Sequence, residues 1–352
     1  MAPTTFTIGI PTRNRATFLE RAIECAVGQT YPHVEIVVSD NASDDETPEV
    51  VRRFGERVRY SRNDTNVGPW NNFRRVTELA TGDIFAWLQD DCLLHREFAE
   101  RAVGALSRWP EAAAYGSYLA AASTVGSAEQ MLFHPRIYGP PFPANWMGGS
   151  PRVVDGRLLP VLGMFANPVP SPTLALRLDA ARRGIAAILP DCLIYNERIV
   201  LAEAVGNAPL VVDPWIGGVY QMHPAQVTSS LPLERWHADW EAMARHVGDR
   251  LGGRPEGEWR IPFEEFLAGL AEADRRLLAD NPDKHTPPDD RWGAVHPVAG
   301  RIHDALWRSL SPASRSALAR PGRSAFRRIV RALVPPICLH VGERAWRWSS
   351  RG

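Results

Sequence analysis

Residues 83–92 read Asp-Ile-Phe-Ala-Trp-Leu-Gln-Asp-Asp-Cys, or DIFAWLQDDC. The apolar run Ile84 to Leu88 has the length and composition of a buried strand. Asp90 and Asp91 stand where that strand ends. Two adjacent acids there repel each other, and a divalent cation would relieve the repulsion. Working outward toward the N-terminus, Phe6–Pro11, Val34–Asp40 and Val58–Asn63 read as three further strands. Between the strands lie helical patterns: one with Leu19, Ile23, Ala26 and Val27 on a single face, then Glu46–Gly55 and Trp70–Ala80. His95–Trp109 continues the series. Strands alternating with helices of this length predict a parallel sheet covered by helices on its faces. Such sheets bind ligands at the carboxyl ends of their strands, here Pro11–Arg15, Asp40–Asp45, Asn63–Gly68 and Gln89–Cys92.

Further along, the pattern mixes. Ala112–Leu119 and Pro209–Asp213 suit strands, and Pro190–Val205 suits a helix. Phe133–Gly149 is rich in Pro, Gly and aromatics and reads as a long surface loop. After Leu231 apolar residues recur at helical spacing, interrupted by a Pro-containing linker at Asn281–Trp292. Phe326, Ile329, Val330 and Leu333 then make an apolar stripe, with Arg323, Arg327, Arg328 and Arg331 largely away from it. The expected organisation is a first half at 1–110, a second half of the same domain at 111–232, and a helical region with a basic tail at 233–352.

The 352 residues carry 40 basic and 40 acidic side chains, and 45% are hydrophobic. That excludes a long disordered chain and argues against general nucleic-acid binding, which depends on neutralising phosphates. No apolar run is long enough to span a membrane, and the N-terminus shows no secretory pattern. The four cysteines lack paired spacing, so neither a zinc site nor a disulfide framework is implied. The expected location is the cytoplasm. Arg320–Gly352 holds eight arginines and one acid, a charge of +7 that the rest of the chain balances with −7. This tail is a candidate for docking on the acidic body, or for peripheral contact at the inner face of a membrane.

The four strand ends present Pro11-Thr12-Arg13-Asn14-Arg15, Asp40-Asn41-Ala42-Ser43-Asp44-Asp45, Asn66-Val67-Gly68 with Asn71 and Asn72 behind it, and Gln89-Asp90-Asp91. In order and spacing this set resembles the family-2 glycosyltransferases over roughly the first hundred residues. The resemblance implies an α/β fold of the GT-A type: a Rossmann-like, mostly parallel sheet flanked by helices, here with a helical C-terminal extension. It also implies an inverting enzyme that uses a nucleoside-diphosphate sugar, UDP favoured, and a Mg²⁺ or Mn²⁺ cofactor.

The resemblance assigns Asp40 to the base, although a carboxylate at a strand end can instead cap the next helix, a role Asp44 or Ser43 could also fill. Pro11, Thr12 and Arg13 would approach the ribose or base. Arg15 reads equally as a donor contact or as an ordinary first-turn helix residue. Asn66, Gly68 and Asn71 would close the donor loop, and glycine at 68 suits a positive φ. Asp91 is the expected metal ligand, with Asp90 on ribose or a metal-bound water. Gln89 departs from the family's Asp-x-Asp pattern by replacing its first acid.

A looser match follows at Asn196–Glu203 and Val219–Gln226. It makes Glu197 the expected general base, with Asp191 in reserve, and His223 a metal or phosphate ligand. Tyr138, Phe142, Trp146 and Trp215 are candidates for an acceptor pocket or for ordinary packing. The acceptor is expected to be a carbohydrate, a lipid-linked saccharide or a small molecule. The rival reading is a nucleotide-sugar-binding or scaffold protein without transfer activity. The chain has neither a lysine-containing phosphate loop nor G-x-G-x-x-G after the first strand, which weighs against nucleotidyltransferases and dinucleotide-dependent oxidoreductases.

Overall fold

The computed structural model describes residues 3–125, 130–138, 150–154 and 169–223, with isolated positions up to 246. The linker, the arginine-lined stripe and basic tail, Phe142 and Trp146 lie outside the described residues, as does the side chain of Tyr138.

Among the described residues, ten strands form one sheet. They are β1 (Phe6–Thr12), β2 (Val34–Asp40), β3 (Arg59–Arg62), β4 (Ile84–Trp87), β5 (Cys92–Leu94), β6 (Ala114–Val125), β7 (Gln130–Tyr138), β8 (Arg152–Val154), β9 (Leu174–Arg177) and β10 (Leu210–Met222). The order is β3–β2–β1–β4–β9–β6–β10–β5, with β7 paired to β6 and β8 to β10. The helices are α1 (Ala16–Val27), α2 (Thr47–Arg53), α3 (Pro69–Leu79), α4 (Phe98–Arg108), α5 (Leu178–Ala186) and α6 (Asn196–Val205). No described helix is long and apolar enough to cross a membrane.

The core follows from strand alternation. Ile84, Ala86 and Leu88 point to one face, with Phe6, Ile8 and Ile10 of β1, and meet Leu19 and Ile23 of α1 and Phe98 of α4. Phe85 and Trp87 point to the other face and meet Val76 of α3, Leu178 of α5 and Val200 of α6. Because both faces are covered, all seven residues of β1 are buried. Gly9 is required here: a Cβ on it would lie 2.8 Å from the Phe85 ring.

Six of the ten described strands run one way, so the mostly parallel sheet holds, with antiparallel strands set among them; two other expectations are corrected. β3, β2, β1 and β4 are parallel, as are β6 and β10, whereas β9 is antiparallel to both β4 and β6. β9 leaves a short 3-10 turn (Ser171–Thr173) linked by hydrogen bond to Gln89 at the end of β4, so it must run back along its neighbour. Phe133–Tyr138 is not loop but part of edge strand β7. Its register against β6 slips between Ala120 and Ala122, which absorbs the stretch around Pro135. The helix expected from Pro190 begins at Asn196. The side chain of Asn196 instead holds the preceding turn, accepting from Leu189 N–H and donating to the Leu189 and Cys192 carbonyls.

Candidate active site

Parallel registration brings the first two strand ends level: Thr12 pairs with Asp40, and Asp40 with Arg62. The loops beyond lock together. Asn41 N–H donates to Thr12 O at 2.9 Å, Asn14 N–H to Ser43 Oγ at 2.9 Å, and Asp44 N–H to Asn14 Oδ1 at 2.9 Å. Asp45 accepts the first helical N–H of α1, from Ala16, at 2.9 Å. Asn14 and Ala42 hold φ of 53° and 58°, a left-handed backbone that costs non-glycine residues about 1–2 kcal/mol each. Strain of this kind persists where surrounding structure enforces it, and it gathers at ligand-binding loops.

An amide network closes the third side. Asn72, buried in α3, donates to Ser39 O at 2.9 Å and Thr12 O at 3.4 Å and accepts from Ser39 Oγ at 2.7 Å. Asn41 donates to Asn66 Oδ1 at 2.7 Å and accepts from Val67 N–H at 2.9 Å. Gly68 has φ 83°, the positive value its position was expected to need. Arg13, Asn66 and Asn71 are exposed at this rim, while Pro11 and Thr12 are buried.

Asp40 lies differently from expectation. It is fully buried, and both oxygens are engaged: Oδ1 by Ser43 N–H at 2.9 Å, Oδ2 by the Tyr60 hydroxyl at 2.5 Å and Arg62 Nε at 3.3 Å. Direct contact with a base is closed off in this geometry. Asp40 acts instead as the post on which the 41–45 turn is built.

Asp90 is sealed in the same way. It accepts from Thr12 Oγ1 at 2.8 Å and from Arg15 Nη1 at 3.0 Å, so both of its oxygens have a partner within the protein. Burial pushes its carboxyl up to about 6. Arg15 works against that shift and Asp91 adds to it.

The same Arg15 nitrogen stands 3.1 Å from Asp91 Oδ2. The repulsion between the two acids, assigned from sequence to a divalent ion, is therefore relieved by Arg15. Burial lowers the guanidinium pKa, but Asp90 and Asp91 more than offset it, and the net shift is upward.

Asp91 and His223 do come together. β10 runs antiparallel to β5, and Gln221 N–H donates to Asp91 O at 3.0 Å. Two residues on, His223 Nε2 lies 3.4 Å from Asp91 Oδ2, under the Phe18 ring at 4.5 Å between centroids. One carboxylate and one imidazole suit a divalent ion that takes its other ligands from phosphate oxygens and water. Among the described residues no group of three or more His, Cys, Asp or Glu could hold an ion unaided. The donor set therefore fits a cation shared with a phosphorylated ligand.

Glu197 sits in the first turn of α6, a position that suits a negative charge. Its Oε1 accepts from Ser171 N–H at 2.5 Å. The Ser171 hydroxyl in turn meets the side-chain amide of Gln89, next to Asp90. Glu197 thus joins the rim through Ser171. It also lines a small recess with Trp70, Phe73, Trp87 and Val200. Asp191 stands apart on the exposed turn before α6. Trp215 packs elsewhere: its indole N–H donates to the Tyr115 hydroxyl at 2.9 Å, and Arg101 covers its ring at 4.2 Å.

Sequence reasoning missed Tyr60, Arg62 and Ser171. Tyr60 and Arg62 follow from the register of β3. Ser171 carries no local signal, because its contacts come from 82 residues upstream and 26 downstream.

Residues 7–155 match the family model described as glycosyl transferase family 2. Glycosyltransferase AglE of Haloferax volcanii is 31% identical over 103 residues, which are 28% of this chain and 34% of that protein. Abequosyltransferase RfbV of Salmonella typhimurium is 37% identical over 92 residues, 24% of this chain and 27% of that protein. The matched segment spans about a fifth to a third of the first curated relatives. Residues 1–349 of TarS from S. aureus, solved in complex with UDP-GlcNAc, superpose with a TM-score of 0.56. They are 15% identical and cover 86% of this chain and 80% of that one, a likeness of fold alone.

Proposed function

We propose that this chain, whose residues 7–155 match the family model of glycosyl transferase family 2, is a member of that family and moves a sugar from a nucleoside-diphosphate sugar to an acceptor hydroxyl. The observation that carries the reading is the convergence of Asp91, His223 and Arg15 at the carboxyl ends of parallel strands, the position where such sheets take nucleotides. UDP is the favoured nucleotide. The base lies over the 11–15 and 41–45 loops, with Asp40 shaping the pocket from behind through Ser43 and Tyr60. Arg13, Asn66 and Asn71 line its mouth. The diphosphate lies toward Arg15, Asp91 and His223. Residues 1–110 form the donor half and 111–232 the acceptor half. The acceptor is a carbohydrate, a lipid-linked saccharide or a small molecule.

The reaction is a single displacement with inversion. An acceptor oxygen forms a bond to the anomeric carbon as the bond from that carbon to the diphosphate oxygen breaks. Glu197 takes the proton from the attacking hydroxyl, held for that task by Ser171. Arg15 and the imidazole of His223 orient the departing diphosphate. A bound Mg²⁺ or Mn²⁺ would neutralise negative charge on that leaving group. Asp91 and His223 are the residues that would hold it.

Nucleotide sugars titrated into the full chain with Mn²⁺ should raise its melting temperature. One UDP-sugar should stand out, stabilising by about 2.7 kcal/mol at a hundred times its dissociation constant. No shift with any nucleotide sugar, with or without the ion, would contradict the reading. A shift without transfer to any acceptor would favour the rival, a nucleotide-sugar-binding protein.

A further inference from the structure

The Asp90–Asp91 pair carries its own cation. Arg15 is the residue immediately before α1, and its carbonyl accepts Leu19 N–H at 2.9 Å, so its backbone is fixed by the helix it begins. From there a single nitrogen reaches both acids, at 3.0 and 3.1 Å. The side chain is 22% exposed, whereas those of Asp90 and Asp91 are 6% and 10% exposed. The guanidinium therefore caps two nearly buried carboxylates from the solvent side. Oδ2 of Asp91, the oxygen Arg15 touches, is also the one that faces His223 Nε2 at 3.4 Å. A divalent ion held between His223 Nε2 and the Asp91 oxygen nearest it meets the oxygen that Arg15 already contacts.

We infer that Arg15 is a built-in competitor for the cation position, so that a divalent ion enters only together with a diphosphate that draws the guanidinium away from Asp91. The inference rests on the donor-binding reading above and adds an order to it. Without nucleotide, an entering ion sits beside a fixed positive charge and gains one carboxylate that is already neutralised. With nucleotide, the diphosphate oxygens supply ligands to the ion and acceptors to Arg15. A guanidinium suits that exchange, because its planar fork binds phosphate oxygens as readily as carboxylate oxygens. Asp90, itself held by the Thr12 hydroxyl, then keeps the arginine at the site.

The test is calorimetry on the full-length protein, with Mn²⁺ alone and then with UDP at saturation. Arg15→Gln keeps a hydrogen-bond donor and removes the charge. It is expected to bind Mn²⁺ alone at least about ten-fold more tightly than wild type. The order should reverse with UDP present: the variant loses the guanidinium–phosphate contact and binds UDP with Mn²⁺ about ten-fold more weakly. A merely structural role for Arg15 would weaken both. Mn²⁺ binding by Arg15→Gln that is no tighter than wild type, or undetectable, overturns the inference.

Removing Arg15 alone exposes two buried carboxylates to each other and endangers folding. A second comparison avoids this: Asp90→Asn against Asp90→Asn with Arg15→Gln. The double variant is expected to bind Mn²⁺ alone more tightly, and equal affinity again overturns the inference. If the Mn²⁺ order holds while UDP binds none of these proteins, Arg15 keeps its role and the donor reading fails instead.

Discussion

Replacing Glu197 with glutamine is expected to lower turnover by about 10²–10⁴-fold, the range typical of a positioned general base. The substitution is close to isosteric, and the amide oxygen can still accept the Ser171 N–H that holds Oε1 at 2.5 Å. The first turn of α6 should therefore keep its place. What disappears is a group able to take the acceptor proton.

Glu197 reaches the rim from α6 and the Ser171 turn, whereas the proposed donor contacts lie at the ends of β1, β2, β4 and β10 and the start of α3. Affinity for UDP should therefore stay near wild type. Initial rates with a competent acceptor, paired with calorimetry of UDP, separate the two effects. Asp191→Asn is the control. Asp191 lies on an exposed turn, so its loss should leave turnover close to wild type. The reverse pattern would move the role to Asp191.

The second large effect is expected from Asp91→Asn, a loss of about 10²–10³-fold in transfer, comparable to removing one principal electrostatic stabiliser of a transition state. Asparagine can still accept from Arg15, so the strand end should fold normally and the melting temperature should change little. It carries no charge with which to hold a divalent ion beside His223. Wild type should lose activity in chelator and regain it with Mn²⁺ or Mg²⁺, and Asp91→Asn should gain little from either ion. Wild-type transfer indifferent to chelator, with Asp91→Asn fully active, would contradict the metal assignment.

The N-terminal half of the fold was legible because parallel strands buried on both faces must be apolar runs, as in FTIGIP and IFAWL, and their turns fall where the runs end. The same logic located all four rim loops. It could not show which rim residues face a ligand. Asp40 and Asp90 are turned inward by partners from elsewhere: Tyr60 on β3, Thr12 at the end of β1 and Arg15 just after it. Asp91, one residue from Asp90, meets His223, which β10 delivers from 132 residues away.

The second half was less legible for related reasons. β7 contains Pro135, which an edge strand with a register slip tolerates but local pattern reading counts as a loop. β9 is only four residues long, and its antiparallel direction depends on where the preceding turn docks. Arg15 is the clearest case. Its sequence position suits an ordinary first-turn residue, and only folding puts it against two acids 75 and 76 residues away.

The most direct measurement of the central claim is a crystal structure of the full chain with UDP and Mn²⁺. The expected result is a diphosphate lying against Arg15, an ion bridging it to Asp91 and His223, and a uracil over the 11–15 and 41–45 loops. A nucleotide bound away from these strand ends, or one at the rim with Asp91 and Arg15 still paired to each other and untouched by phosphate or ion, would contradict it.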